Sequence, residues 1–269
     1  TRLAYGIDTA REIPFANSRS INMGDIRKNR DTLDNVRLWD WRPLKQTYKQ
    51  LQELKPYYFF NDIDVDRYNI NNRSVAVNIS ARELSIEGLG RLGSTWQNRH
   101  LIYTHGYGAV MSRVDRVSPD GQPEFLISDI PPRIRAGIDE FNPRIYYGEN
   151  SSEYCITETT IQPGEFDHPA GNDNSFTTYA GGGGIPLDSF LRRLLFAIGT
   201  GDLNVMISGN INSGSRILYR RNILEMAKTF TPFLKIDDDP YLVISDGRLY
   251  WVLDAYTVSD HYPYSTPVT

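Results

Sequence analysis

Apolar residues recur at helical spacing in two parts of the chain. After Pro43, which suits a first helical position, the apolar residues Leu44, Tyr48, Leu51 and Leu54 recur at helical spacing. The pattern ends at Pro56 and predicts a surface helix with one buried face. A longer apolar stripe occurs later and predicts the clearest helix of the chain. Its members are Leu187, Leu191, Leu194, Leu195 and Ile198.

Strand-like patterns occupy the middle of the chain. Val75, Val77 and Ile79 alternate with the smaller or polar residues Ala76 and Asn78, as expected for a strand. Short runs rich in β-branched and aromatic residues, bounded by Gly, Pro or Asp, predict further strands. These runs are residues 101–103, 124–127 and 154–157.

The strongest short-range signal lies near the C-terminus. Residues 241–245 and 248–253 are β-prone, and Asp246 and Gly247 between them favour a tight hairpin turn. A further helix is predicted over about residues 220–231. We therefore predict an α+β fold of mixed short strands and amphipathic helices with a C-terminal β-hairpin.

The pattern also suggests a domain organisation. Residues 1–35 mix charged, amide and isolated apolar residues without periodicity, which predicts an extended lead-in. Residues 36–269 then form the α+β domain. Residues 165–184 are rich in Gly, Asn and Pro and are predicted as a long surface loop, which is a candidate boundary between two lobes.

Composition changes this picture in only a few respects. The formal net charge is −4, so no excess of positive charge favours nucleic acid as a partner. Six of the 29 basic residues are Lys and the rest are Arg, whose planar fork favours fixed pairs with carboxylates, so many Arg residues are expected to be structural. The longest continuous apolar runs, such as Leu194 to Ile198, are far too short to span a bilayer. The chain starts without an initiator Met, and we expect it to be part of a longer protein.

Three alternating carboxylates are the most suggestive candidate site. Asp62, Asp64 and Asp66 share one face if the segment is extended, and close carboxylates can bind a divalent cation. The spacing does not match an EF-hand, because Arg67 and Arg73 stand where Gly and Glu are required. The alternative is a polar strand face whose charge is neutralised by nearby Arg residues.

Other candidate residues have a structural alternative as well. His105 is a candidate general base, or a neutral histidine in a hydrogen-bonded, tyrosine-rich setting. Cys155 lies in an apolar run and is expected to be a buried, inert thiol. Trp39 and Trp41 form an aromatic cluster that either binds a partner or anchors the following helix. A Gly-x-Ser-x-Gly nucleophile motif is absent from the sequence.

Several long strings resemble the uncharacterised protein family 0182 of actinobacteria, cyanobacteria and other bacteria. They include Asn35-Val-Arg-Leu-Trp-Asp-Trp-Arg-Pro-Leu44, Trp96-Gln-Asn-Arg-His-Leu-Ile-Tyr-Thr-His-Gly-Tyr-Gly108, Ile145-Tyr-Tyr-Gly-Glu149 and Gly247-Arg-Leu-Tyr-Trp-Val-Leu-Asp-Ala-Tyr256. The resemblance covers nearly the whole chain. It implies a cell-membrane protein with several N-terminal transmembrane helices, followed by an extracytoplasmic region that includes this domain.

Two functions follow as hypotheses. The first is a scaffold, sensor or binding module of the cell envelope, which would contact its own N-terminal transmembrane region and an envelope protein partner. The second is a metal-assisted envelope enzyme that uses Asp62, Asp64 and Asp66, with His105, around a divalent cation. The resemblance assigns no reaction and no catalytic residue.

Overall fold

The computed structural model describes residues 22–171 and 173–258. The described residues fall into two compact units, one that ends at Val36 and one that begins at Arg37. The helices are α1 (Met23–Lys28), α2 (Arg30–Leu33), α3 (Trp41–Gln52), α4 (Phe190–Thr200), α5 (Asn204–Ile207) and α6 (Ile223–Phe230). The strands are β1 (Tyr58–Phe59), β2 (Asp64–Ile70), β3 (Arg73–Ala81), β4 (Glu83–Leu84), β5 (Gly106–Tyr107), β6 (Ala109–Val117), β7 (Pro123–Ser128), β8 (Arg133–Ile134), β9 (Arg144–Ile145), β10 (Cys155–Thr157), β11 (Glu165–Ala170), β12 (Asp173–Thr177), β13 (Ile185–Pro186), β14 (Arg216–Leu218), β15 (Lys235–Ile236), β16 (Tyr241–Ser245), β17 (Arg248–Val252) and β18 (Ala255–Tyr256).

The first unit contains α1 and α2. Asn22 caps α1 by accepting hydrogen bonds from the backbone N–H groups of Gly24 and Asp25. Two short helices therefore occupy part of the segment predicted to be extended, and the remainder of that segment, residues 1–21, lies outside the described residues. The cap at Asn22 is a local signal, and no periodic apolar pattern accompanies it in the sequence.

A five-stranded antiparallel sheet forms the centre of the second unit. Its strand order is β2-β3-β6-β7-β8. On one face, Leu44 and Tyr48 of α3 pack with Val110, and the Tyr48 hydroxyl donates a hydrogen bond to Ser112 Oγ at 2.8 Å. On the other face, Leu242 of β16 packs with Val77. Both faces of β3 are therefore covered, which explains why its buried positions do not alternate.

Most of the predicted elements are present. The predicted helix after Pro43 is α3, which begins at Trp41 with Asp40 as its cap. The hairpin of β16 and β17 turns at Asp246 and Gly247, both with positive φ, as predicted. The α+β fold is confirmed, and α4 and α6 lie where helices were predicted.

Two predicted elements differ from the structure. Residues 98–102 form a single π-helical segment, where 101–103 was predicted as a strand. Residues 165–184 contain the β11–β12 hairpin, not a continuous loop, because the turn at Gly171 joins two paired strands. The start of β11 is buried, so the loop prediction was wrong at its most charged positions.

Helix α4 exposes most of its apolar stripe. Leu191, Leu195 and Ile198 are 62%, 59% and 71% exposed, although an amphipathic stripe normally faces the core. Leu203, which precedes α5, and Ile207, at the end of α5, are also largely exposed. Helix α5 packs beside α4. Together with Phe190 these residues are called the apolar face below. Among the described residues, no helix is long and apolar enough to cross a membrane.

Candidate functional site

A buried polar network joins β5, β9 and β11. Asp167 of β11 accepts two hydrogen bonds from Arg144 of β9, from Nε at 2.7 Å and from Nη2 at 2.9 Å. His105, immediately before β5, lies with Nε2 at 3.3 Å from Asp167 Oδ1. Asp167 therefore connects a cationic side chain and an imidazole that are distant in sequence.

The same network continues on the other side of the imidazole. His105 Nδ1 lies 2.9 Å from Thr104 Oγ1, and this hydroxyl donates a hydrogen bond to Glu165 Oε2 at 2.7 Å. Tyr146 also donates its hydroxyl hydrogen to Glu165 Oε2, at 3.0 Å. Thr104, His105, Arg144, Tyr146, Glu165 and Asp167 are called the polar network below.

Burial and charge act in opposite directions within the network. Burial alone would raise the pKa of Asp167, but hydrogen bonds from His105 and Arg144 hold that pKa well below its usual range. Burial lowers the pKa of His105, and the carboxylate of Asp167 opposes this effect. Asp167 is therefore ionised at neutral pH and serves as the fixed anion of the network.

The geometry favours a positioning role for His105. Its side chain has no solvent exposure, and both ring nitrogens lie within hydrogen-bond distance of protein groups. A general base needs to reach the proton it removes from a substrate. In this arrangement His105 instead fixes Asp167 and Thr104, and so the strands that carry them.

A separate acidic cluster lies at the start of β2. Asp62, Asp64 and Asp239 each place a carboxylate oxygen within 4.8 Å of the other two. Carboxylate oxygens at such separations are suitable ligands for a hard cation such as Ca²⁺ or Mg²⁺. Two of the three predicted ligands are thus brought together with Asp239, whereas Asp66 lies outside the group.

Two members of the acidic cluster, Asp62 and Asp64, and the neighbouring Glu149 have raised pKa values, mainly because of burial. Burial, and then the charge of Asp62, raise the pKa of Asp64 to about 7. Burial, and then the charge of Asp62, raise the pKa of Glu149 to about 8. Lys45 opposes the shift at Asp62 but does not reverse it. These carboxylates repel one another, and a bound cation would relieve that repulsion.

Asp64→Asn should stabilise the chelator-treated protein more at pH 7.5 than at pH 5.5. A carboxyl with a raised pKa binds its proton more tightly in the folded state, so its contribution to stability is lost as pH rises from about 4 towards 7. We expect the difference between the two pH values to be roughly 1 to 2 kcal/mol after solvent screening is considered. Urea denaturation of both proteins at both pH values measures it, and an equal gain at each pH would contradict it.

The other candidates have distinct environments. Trp39 is partly buried beside α3, and its indole N–H donates to the carbonyl of Arg116 at 3.0 Å. Trp41 is 43% exposed, with Arg42 above its ring. Cys155 is fully buried, and burial raises the pKa of its thiol to about 11, as an inert core residue requires. Partner binding by the two tryptophans stays a prediction.

Sequence reasoning missed the carboxylates of β11, and for the acidic run that contains Asp239 it favoured a turn over a source of metal ligands. Glu165 and Asp167 stand in a segment rich in turn residues, and Asp239 belongs to an acidic run that resembles an exposed turn. The available signal was that the charged residues Glu165 and Asp167 alternate with the apolar Phe166, a pattern typical of a β-strand. The side chain of Phe166 is buried in the structure.

Comparison with known proteins shows which family the chain resembles. The model of the uncharacterised protein family UPF0182 matches residues 1–269. A UPF0182 protein of Pelotomaculum thermopropionicum is 48% identical over 99% of this chain and 29% of that protein. A UPF0182 protein of Clostridium tetani is 48% identical over 99% of this chain and 30% of that protein. A UPF0182 protein of Methanospirillum hungatei is 50% identical over 91% of this chain and 27% of that protein.

The match extends over the chain but not over the relatives. The chain spans less than a third of the length of these curated relatives. No solved structure matches it. On the family match and these identities, the chain belongs to the uncharacterised protein family UPF0182.

Proposed function

We propose that this chain is an extracytoplasmic part of a membrane protein and acts there as a docking and scaffold module of the cell envelope. The observation that carries the proposal is the apolar face of α4 and α5. Leu191, Leu195 and Ile198 recur at i, i+4 and i+7, so they form one continuous stripe on α4. Exposed apolar stripes of this kind mark sites that another surface covers.

The proposed occupant is the protein's own remaining polypeptide. The relatives are more than three times as long as this chain, so ample further sequence is available to cover the apolar face. The resemblance noted above implies that this further sequence includes an N-terminal transmembrane region. A fixed contact of that kind would hold the domain in one orientation beside its membrane anchor and leave its other surfaces for an envelope protein partner.

Labelling of single cysteines in a full-length protein that carries this sequence tests the proposal. Cys155 is buried, so an introduced thiol is the reactive one among the described residues. We expect Leu195→Cys to react with maleimide about tenfold more slowly in the full-length protein than in the 269-residue chain, because the covering segment limits access. Equal rates would contradict docking at the apolar face.

Lys49→Cys on the exposed side of α3 is the matched helical control. Its labelling rate should be the same in the chain and in the full-length protein. With a maleimide that does not cross membranes, Lys49→Cys should also react in intact cells. Reaction only after lysis would contradict the extracytoplasmic location.

A cation-dependent role is the second candidate, and the geometry of the acidic cluster favours it. A divalent cation at 100 times its dissociation constant should stabilise the fold by about 2.7 kcal/mol. This shift should be present in the unmodified chain and absent in Asp64→Asn. A melting curve unmoved by chelator, Ca²⁺ and Mg²⁺ would exclude the acidic cluster as the site of a metal-assisted reaction.

A further inference from the structure

A cavity of about 510 Å³ lies where β9, the segment after β12, helix α6 and strand β17 meet. Its walls are mainly aromatic and aliphatic. The aromatic side chains are Tyr146, Tyr147, Tyr179 and Trp251, and α6 contributes Met226 and Ala227. Small-molecule sites have this range of volume and this kind of apolar, aromatic lining with few polar groups.

Hydrogen bonds hold the aromatic walls in place. The carboxylate of Glu165 accepts from the Tyr146 hydroxyl at 3.0 Å and from the Tyr179 backbone N–H at 3.1 Å. The rings of Tyr146 and Tyr179 meet edge to face with centroids 4.7 Å apart. Elsewhere in the lining, the Trp251 indole N–H donates to the Tyr147 carbonyl at 2.9 Å. A ligand would therefore meet walls that are already ordered, which lowers the entropic cost of binding.

Arg144 is the only charged residue among the described residues that line the cavity. Its side chain is one-third exposed, and its pair with Asp167 uses two of the five N–H donors of the guanidinium. That pair fixes the position of the guanidinium at the cavity wall. Because Asp167 already compensates its charge, Arg144 can select an anionic group but cannot supply most of the affinity.

We propose that this cavity binds a small molecule that has an aromatic or apolar body and one anionic group. The body packs between the tyrosine rings, Trp251 and Met226, and the anionic group lies against Arg144. This binding is independent of the apolar face, which belongs to α4 and α5 and contributes no residue to the cavity. Ligand binding would also account for the polar network beside the cavity, because that network fixes the positions of both Tyr146 and Arg144.

A pair of dyes with the same rings tests both parts of the proposal. 1-Anilinonaphthalene-8-sulfonate carries one sulfonate, and N-phenyl-1-naphthylamine lacks it. We expect the sulfonated dye to bind the chain about fivefold more tightly, a preference that falls towards unity in 1 M NaCl as the charge of Arg144 is screened. Fluorescence titration measures both affinities. Equal affinities at low salt would overturn the role of Arg144.

Substitutions that fill the cavity provide a second test of the proposal. Ala227→Phe adds a ring to the cavity from α6 and should weaken binding of both dyes at least about tenfold. Thr229→Phe adds the same ring at an exposed position of α6 that does not line the cavity, and it should change the affinities less than about twofold. Dye that binds the apolar face would be equally unaffected by either substitution.

A second variant covers the case in which Ala227→Phe does not fold. Ala180→Phe narrows the cavity from the segment after β12, where the exposed Ala180 makes no core contact. Loss of dye binding in either folded variant, with binding retained in Thr229→Phe, supports the proposal. Unchanged binding in a folded Ala227→Phe or Ala180→Phe variant overturns it, whatever the outcome of the labelling experiments on the apolar face.

Discussion

Asp167→Ala should lower the free energy of unfolding by roughly 2 to 4 kcal/mol, because it leaves the partly exposed guanidinium of Arg144 and the fully buried imidazole of His105 without their partner. Asp167 is only 5% exposed in its side chain and receives both Nε and Nη2 of Arg144. It also lies 3.3 Å from His105 Nε2, which would lose its partner in a fully buried position. Urea denaturation at pH 7, where Asp167 is ionised, measures the change.

Asp188→Ala is the matched control for this substitution. Asp188 also pairs with an arginine, Arg192, but both side chains are about half exposed. Exposed pairs contribute between zero and about 1 kcal/mol, so this variant should be nearly as stable as the unmodified chain. Similar losses for the two variants would mean that burial of Asp167 does not determine its contribution, which would contradict the description of the polar network.

Elements governed by local signals were predictable from the sequence. Helix α3 follows from the helical spacing of its apolar residues, because Leu44 and Tyr48 are buried in the structure. The other two residues of the pattern are not buried: Leu51 is 36% exposed, and Leu54 lies beyond the end of the helix and is 50% exposed. The β16–β17 hairpin follows from Asp246 and Gly247, since both adopt the positive φ that its turn requires. In each case the residues that specify the element are adjacent or one turn apart.

The polar network could not be predicted, because its partners are distant in sequence. Thr104 and Glu165 are 61 residues apart, and His105 and Asp167 are 62 apart. Periodicity reports burial of apolar residues, whereas a buried carboxylate has the same sequence signature as an exposed one. The sequence around Glu165 and Asp167 therefore predicts a surface loop, although β11 buries both side chains.

Several arginines form the carboxylate pairs expected of them, such as Arg113 with Asp115, but two buried arginines mainly donate to backbone carbonyls. Arg221 is buried and donates to the backbone carbonyls of Tyr146 and Thr104, and Arg82 donates to that of Tyr107. Burial lowers the pKa of Arg82 to about 10, which still leaves it cationic. These arginines connect distant segments by donating hydrogen bonds to their backbone carbonyls. The planar guanidinium can do this because its N–H donors point in several directions.

Gly106→Ala should destabilise the chain by about 3 kcal/mol or more, because overpacking against the backbone cannot be relieved by a side-chain rotation. A Cβ atom at this position would lie 2.5 Å from the carbonyl oxygen of Arg82 and 2.8 Å from Cα of Glu83. Both atoms belong to the main chain that passes over β5. Thermal or urea denaturation measures the loss.

Gly182→Ala is the control, since a Cβ atom there would meet nothing within 4 Å and its effect should stay within about 0.5 kcal/mol. The two variants should differ in dye binding as well. Gly106 pairs with Ile145, and the next pair along the same two strands joins Tyr107 to Arg144, so displacement of β5 would move the guanidinium in the cavity wall. A Gly106→Ala protein as stable as Gly182→Ala would contradict the close approach of β5 to the chain at Arg82, and with it the rigid support inferred for the cavity.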